Sequence, residues 1–167
     1  AFAEDQQDRI ICRWRHPPTG LILDAMPADP AILGFANRWQ AAALPHAISR
    51  TLPSGAKIRA VSPPYLLATK LEAFKGRGRD DFLASRDFGD IIALVDGREE
   101  LVAEVSDSNA DARAYIASEL ERLLAHPRFL DGLYGALRPD VASQARAEAI
   151  VLPRLREMTT GRQPAAK

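Results

Sequence analysis

The chain has 167 residues, 47% of them hydrophobic, and its 22 Lys+Arg balance its 22 Asp+Glu. That length makes about one domain of roughly 150 residues. The apolar content excludes wholesale disorder, and zero net charge argues against a polycationic nucleic-acid binder or an acidic tail protein. The single cysteine, Cys12, excludes an internal disulfide, and Cys12, His16, His46 and His126 are too scattered for zinc spacing.

In chain order, Arg9 to Arg15 reads as a strand, with Cys12 and Trp14 alternating against Arg13 and Arg15. Pro17-Pro18-Thr19-Gly20 is a turn signal, and Leu21 to Met26 a second strand, so the pair predicts a hairpin. Asp29-Pro30 is a helix start, with Asp as N-cap and Pro in the first turn, carrying Ile32, Leu33, Phe35 and Trp39. Ile48 to Leu52 and Lys57 to Val61 flank Pro53-Ser54-Gly55 and predict another hairpin. From Ser62-Pro63-Pro64 the pattern turns helical: one helix to Lys75, a Gly76–Asp81 loop, and a helix from Ser85 to about Gly97. Ser108 to His126 has helical periodicity through Ala112, Ile116, Leu120 and Leu123. A short helix spans Phe129 to Leu137, and Asp140 caps a last one, kinked at Pro153. Trp14, Trp39 and Phe74 read as core residues, and His126 as a helix C-terminal residue. The predicted class is α+β: a small mixed or antiparallel sheet over 1–61, a helical region over 62–160 packed on it as one unit, and a frayed tail at 161–167. The apolar run Ile91-Ile92-Ala93-Leu94-Val95 falls far short of the roughly 20 residues that span a bilayer. With no leader pattern either, the expected location is the cytoplasm, with no membrane partner.

Three charges interrupt apolar surfaces. On a helical wheel Leu66, Leu67, Leu71 and Phe74 form one arc, and Lys70 falls inside it. Phe88, Ile91, Leu94 and Val95 form the arc of the next helix, with Asp87 inside it and Asp90 at its border. A charge on a core-facing stripe is costly unless it is paired, snorkels to water or lines a cleft. A Lys70–Asp87 pair between adjacent helices is therefore expected. Asp24 is the third case, a lone carboxylate among Leu21, Ile22, Leu23 and Met26. It caps a turn or points into a site. Lys75, Arg77 and Arg79 make a small basic rim beside Lys70, in a segment that lacks the Gly-x4-Gly-Lys-Ser/Thr phosphate-loop pattern. There is no nucleophile triad and no DNA-reader motif.

Three segments, Ile11-Cys12-Arg13-Trp14-Arg15, Leu23-Asp24-Ala25-Met26-Pro27 and Leu33-Gly34-Phe35-Ala36-Asn37-Arg38-Trp39, resemble bacterial nucleotidyltransferase-like proteins. The strongest likeness is Leu67-Ala68-Thr69-Lys70-Leu71-Glu72-Ala73-Phe74-Lys75-Gly76-Arg77-Gly78 followed by Ser85-Arg86-Asp87-Phe88-Gly89-Asp90-Ile91-Ile92. It resembles the abortive-infection (AbiEii-like) toxin branch of the nucleotidyltransferase superfamily.

The resemblance implies a partial nucleotidyltransferase-like sheet core with a helical region behind it. It implies Mg²⁺-dependent transfer of a nucleoside monophosphate from a nucleoside triphosphate to a hydroxyl, in a toxin–antitoxin setting with an antitoxin or other protein as partner. Asp24 then matches the third metal-binding carboxylate and is the catalytic and metal residue. Lys70 resembles the helix lysine placed near the triphosphate, so, with Lys75 and Arg77 of the rim beside it, it is the expected nucleotide-binding group, and Asp87, Asp90 and Arg86 are the expected structural support. The two other acids of such enzymes lie on an Asp-x-Asp/Glu strand after a Gly-Ser turn, and no such motif precedes Asp24. The chain opens on Ala1 rather than Met. The expectation is either an enzyme active only in a longer form that carries those acids, or a non-catalytic nucleotide-binding or interaction module derived from the fold. Either way these 167 residues alone are expected to be inactive, because in-line transfer needs metal clamps on both the attacking and leaving oxygens.

Overall fold

The computed structural model describes residues 3–4, 13–25, 37–78 and 80–160. The expected strand start at 9–12, the Asp29-Pro30 helix start, Arg79 and the 161–167 tail lie outside these residues. The chain divides into two compact units, Ala1–Asn37 and Arg38–Lys167. The described part is α+β, with small antiparallel sheets early and helices through the rest.

The first unit is a three-stranded antiparallel sheet in the order β1 (Ala3–Glu4), β2 (Arg13–Arg15), β3 (Ile22–Asp24). The predicted β2–β3 hairpin is present, with Arg13 opposite Asp24, Trp14 opposite Leu23 and Arg15 opposite Ile22. Its turn closes through the His16 carbonyl, which accepts from the Gly20 amide at 2.8 Å. Gly20 sits at φ +68°, a conformation that an L side chain resists. The hairpin's apolar side chains are open: Trp14 is 40% exposed and Leu23 51%. The placement of Trp14 in a core is thus corrected. A three-residue strand has few neighbours to bury an indole.

The second unit starts with α1 (Arg38–Ala43) and a two-stranded hairpin, β4 (Ile48–Thr51) and β5 (Lys57–Ala60). Seven further helical elements follow among the described residues. They are α2 (Pro63–Ala73), which runs into a π-helical turn (Phe74–Gly78), α3 (Arg86–Gly97), α4 (Leu101–Ser106), α5 (Ala110–Leu124), α6 (Phe129–Ala136), α7 (Val141–Arg146) with a second π turn (Ala147–Val151), and α8 (Leu152–Thr159).

Local chemistry accounts for most boundaries. The Ser85 hydroxyl accepts from the Phe88 amide, Asn109 Oδ1 from Ala112, and Asp140 Oδ1 from Ser143, each opening a helix. The Asn109 cap also donates through Nδ2 to the Tyr65 hydroxyl at 2.8 Å, tying α5 to α2. Ser62 precedes α2 without a side-chain cap. The expected break at Pro153 is real but is spread upstream. Pro153 has no N–H to give the preceding turn, and the chain widens into the π turn just before it. The short α4 escapes a periodicity search because only Leu101 and Val105 mark its buried face.

The core of this unit is a helical one. α3 buries Phe88, Ile91, Ile92 and Val95, and α2 buries Leu67, Ala68 and Leu71. Phe74, Phe82, Phe88 and Phe129 form an aromatic cluster, with Phe82–Phe88 centroids 4.9 Å apart and edge-on. Phe74 and Trp39 are buried as expected. Gly132 on α6 lies against this cluster. A Cβ there would fall on the Phe82 Cβ and within 3.0 Å of Phe88 Cε1. At Gly135 an added Cβ meets only the far end of Leu83, a largely exposed side chain. Gly132→Ala is expected to cost about 1–3 kcal/mol of unfolding free energy, and Gly135→Ala close to nothing, as read by urea denaturation.

Candidate functional site

The predicted residues fall in two places. Asp24 ends β3 of the first unit. Lys70, Lys75, Arg77, Asp87, Asp90 and Arg86 lie on α2, the first π turn and α3 of the second.

Asp24 is held by its cross-strand neighbour. Arg13 Nε donates to Oδ1 at 2.7 Å and Nη2 to Oδ2 at 2.9 Å, a bidentate fork that engages both carboxylate oxygens. The hydrogen bonds from Arg13 lower the Asp24 pKa and keep it ionised. The pair is solvent-accessible, so it fixes orientation more than it adds stability.

The expected Lys70–Asp87 pair is present. Lys70 Nζ donates to Asp87 Oδ1 at 3.1 Å and lies 2.5 Å from Asp90 Oδ2. Asp87 is only 5% exposed. Its other cation arrives from the π turn: Arg77 Nε and Nη2 reach its two oxygens at 2.7 and 2.9 Å. Lys70 and Arg77 thus balance Asp87 and Asp90 with no net charge left. Arg86 is exposed on the first turn of α3 and joins neither this network nor the next.

The reading from sequence missed a second network. Lys75 Nζ donates to Glu119 Oε1 at 2.5 Å, and Arg122 Nε donates to Glu119 Oε2 at 2.9 Å. Arg122 also reaches Asp80 Oδ1 at 3.3 Å. Glu119 is 5% exposed and sits between Ile116 and Leu123 on the buried stripe of α5. That is the same signal that singled out Lys70, and it was available in the sequence. Beside it the Tyr115 hydroxyl donates to Glu72 Oε2, and the Arg38 guanidinium lies 4.7 Å from the Tyr115 and Trp39 ring centroids.

The π turn explains how one short segment serves both buried acids. Its wider register presents Lys75 toward α5 and Arg77 toward α3, where the sequence predicts a solvated loop from Gly76. Gly78 closes it: a Cβ there would meet the buried Phe74 ring at 2.5 Å.

Burial by itself would raise both acid pKa values. Hydrogen bonds from Arg77 and Lys70 outweigh it at Asp87, and those from Lys75 and Arg122 outweigh it at Glu119, so both carboxyls titrate below their ordinary values of 3.8 and 4.5. At Lys70 burial opposes the charge, and the hydrogen bonds to Asp90 and Asp87 overcome it, so its pKa rises. Acids with lowered folded pKa values contribute stability above their unfolded values, and that stability fades as pH falls through the folded values. The melting temperature is therefore expected to hold from neutrality down to about pH 4.5 and to drop below it. The slope should be shallower in Glu119→Gln, as read by calorimetry across pH 2.5–7.

The arrangement leaves donors to spare. Lys70 has three N–H groups, two of them turned to Asp87 and Asp90, and Arg77 keeps Nη1 beyond its fork on Asp87. Both are directed cations that can meet an anionic oxygen. For a divalent cation the fit is poor. Among the described residues no group of three His, Cys, Asp or Glu side chains could hold a metal. Asp24, the one acid assigned to it, already has both oxygens on Arg13. No helix among the described residues is long and apolar enough to cross a membrane. No family model matches the chain, nor does any curated protein or solved structure.

Proposed function

We propose that the chain is part of a nucleotidyltransferase-like protein. In its complete form that protein transfers a nucleoside monophosphate from a nucleoside triphosphate to a hydroxyl, in a cytoplasmic toxin–antitoxin setting with a protein partner. The observation that carries the reading is Lys70, a fully charged ammonium fixed on an otherwise apolar helix face by Asp87 and Asp90, with Arg77 beside it. An ion pair made only for stability is readily replaced by apolar packing. One that holds a lysine and an arginine around a nearly buried acid, with donors to spare, suits a triphosphate. Mg²⁺ and the chemistry it supplies belong to a form that brings further acids to Asp24. Among the described residues no such metal clamp is assembled.

A second reading, a non-catalytic nucleotide-binding or interaction module, is favoured by the self-neutralised networks. Lys75 and Arg77 are each already matched to a buried acid. Both readings expect weak binding of ATP by this chain, with a Kd near the millimolar range and a several-fold loss at 0.5 M salt. Adding Mg²⁺ should change little. In an ATP titration followed by amide chemical shifts, the changes should centre on Lys70, Lys75 and Arg77, and Lys70→Met should weaken them. Shifts confined to other surfaces would remove the triphosphate site from both readings.

A further inference from the structure

The β4–β5 hairpin projects from the second unit with every residue from Ser49 to Arg59 exposed. Among the described residues its strands pair only with one another, and no described strand covers the outer edge of either. A two-stranded ribbon is marginal in water unless further strands or a helix support it. This one also leaves Leu52 and Ile58 open, 40% and 43% exposed.

Its charge is one-sided in a chain that is neutral overall. Between Asp29 and Glu72 there is no acidic residue, while Arg38, Arg50, Lys57, Arg59 and Lys70 all fall there. Arg50 and Lys57 project on opposite faces of the ribbon, because Arg50 is opposite Ile58 and Thr51 opposite Lys57. Beside the hairpin is a cleft of about 340 Å³ lined mainly by Ala43, Leu44, Ala47, Val61 and Leu66, with Arg59 on its wall. Arg59 Nη2 donates to the Leu44 carbonyl at 2.8 Å and holds the hairpin base against the end of α1.

We infer that this hairpin is a docking edge for an acidic, extended segment of a partner protein, which adds a third strand and sets one apolar side chain in the cleft. Main-chain bonds to a free edge give such a segment its affinity, and side-chain pockets give it specificity. Acids on one face of the added strand would meet Arg50, and apolar side chains on its other face would lie on the Lys57 and Arg59 side, which borders the cleft. A single-stranded nucleic acid fits less well. No aromatic residue stands between His46 and Tyr65 to stack a base, and the exposed Leu52, Ile58 and Val61 favour an apolar partner surface.

The inference does not depend on the nucleotide reading, since the docking contacts it proposes involve no residue of the Lys70–Asp87 network. It is tested with the whole chain and a labelled eight-residue alternating Glu-Val peptide, by fluorescence anisotropy and amide hydrogen exchange. The expected result is saturable binding with new protection at Ser49–Ala60. Binding should weaken about tenfold in Arg50→Glu, and neither a Lys-Val peptide nor an oligouridine should replace it. A Glu-Val peptide N-methylated at alternate amides leaves the protein untouched and should not bind. Equal binding by the N-methylated peptide, protection gained only outside the hairpin, or tighter binding of oligouridine at Ser49–Ala60 would each overturn the inference.

Discussion

Asp87→Ala is expected to cost about 2–3 kcal/mol of unfolding free energy, and Lys70→Met about 1 kcal/mol or less. The asymmetry follows from who is left behind. Without Asp87, the three-quarters-buried Lys70 side chain keeps only Asp90, and Arg77 loses both of its bonds to the acid. Without Lys70, Asp87 still accepts a bidentate fork from Arg77, and the largely exposed Asp90 returns to water. The figure for Asp87 stays below the roughly 3–5 kcal/mol of a fully buried pair because the Arg77 side chain is 68% exposed and recovers hydration. Urea denaturation of the two variants at neutral pH reads this directly. Equal losses, or a larger loss for Lys70→Met, would mean that Arg77 does not hold Asp87 in solution.

A larger loss, about 3–5 kcal/mol, is expected for Phe88→Ala. Phe88 has no exposed surface, and its ring touches three others, with centroids 5.4 Å from Phe74, 4.9 Å from Phe82 and 6.1 Å from Phe129. These rings come from the first π turn, the segment before α3, α3 itself and α6, so little nearby can collapse into the hole without moving several elements. Phe88→Leu should recover most of the loss, and Leu130→Ala, at a half-exposed position on α6, should stay within about 0.5 kcal/mol. A Phe88→Ala loss below 1 kcal/mol would show that the cluster is loosely packed.

What was legible in the sequence tracks how local its cause is. The two hairpins, α3, α5 and α6 follow from alternation, turn residues and capping side chains within a few positions. The Lys70–Asp87 pair was legible because each charge breaks an apolar arc, and Glu119 breaks one in the same way between Ile116 and Leu123. The destination of Lys75 and Arg77 was not legible. It depends on the wider winding at Phe74–Gly78, which no residue spacing encodes, and on Glu119, 44 positions from Lys75. Trp14 was misplaced because an aromatic in an alternating strand reads as buried only when the strand has a partner surface to cover it.

The most direct test of the central claim is nucleotide transfer by the longest protein that the reading frame around this chain encodes, assayed with α-labelled nucleoside triphosphates, with and without Mg²⁺. Transfer should be Mg²⁺-dependent in that protein and absent with residues 1–167 alone. Asp24→Asn should abolish it without shifting the melting temperature, because Asp24 and Arg13 form an exposed pair. Robust Mg²⁺-dependent transfer by the 167 residues alone, or undiminished transfer by Asp24→Asn in the longer protein, would contradict the assignment of Asp24 and the account built on it.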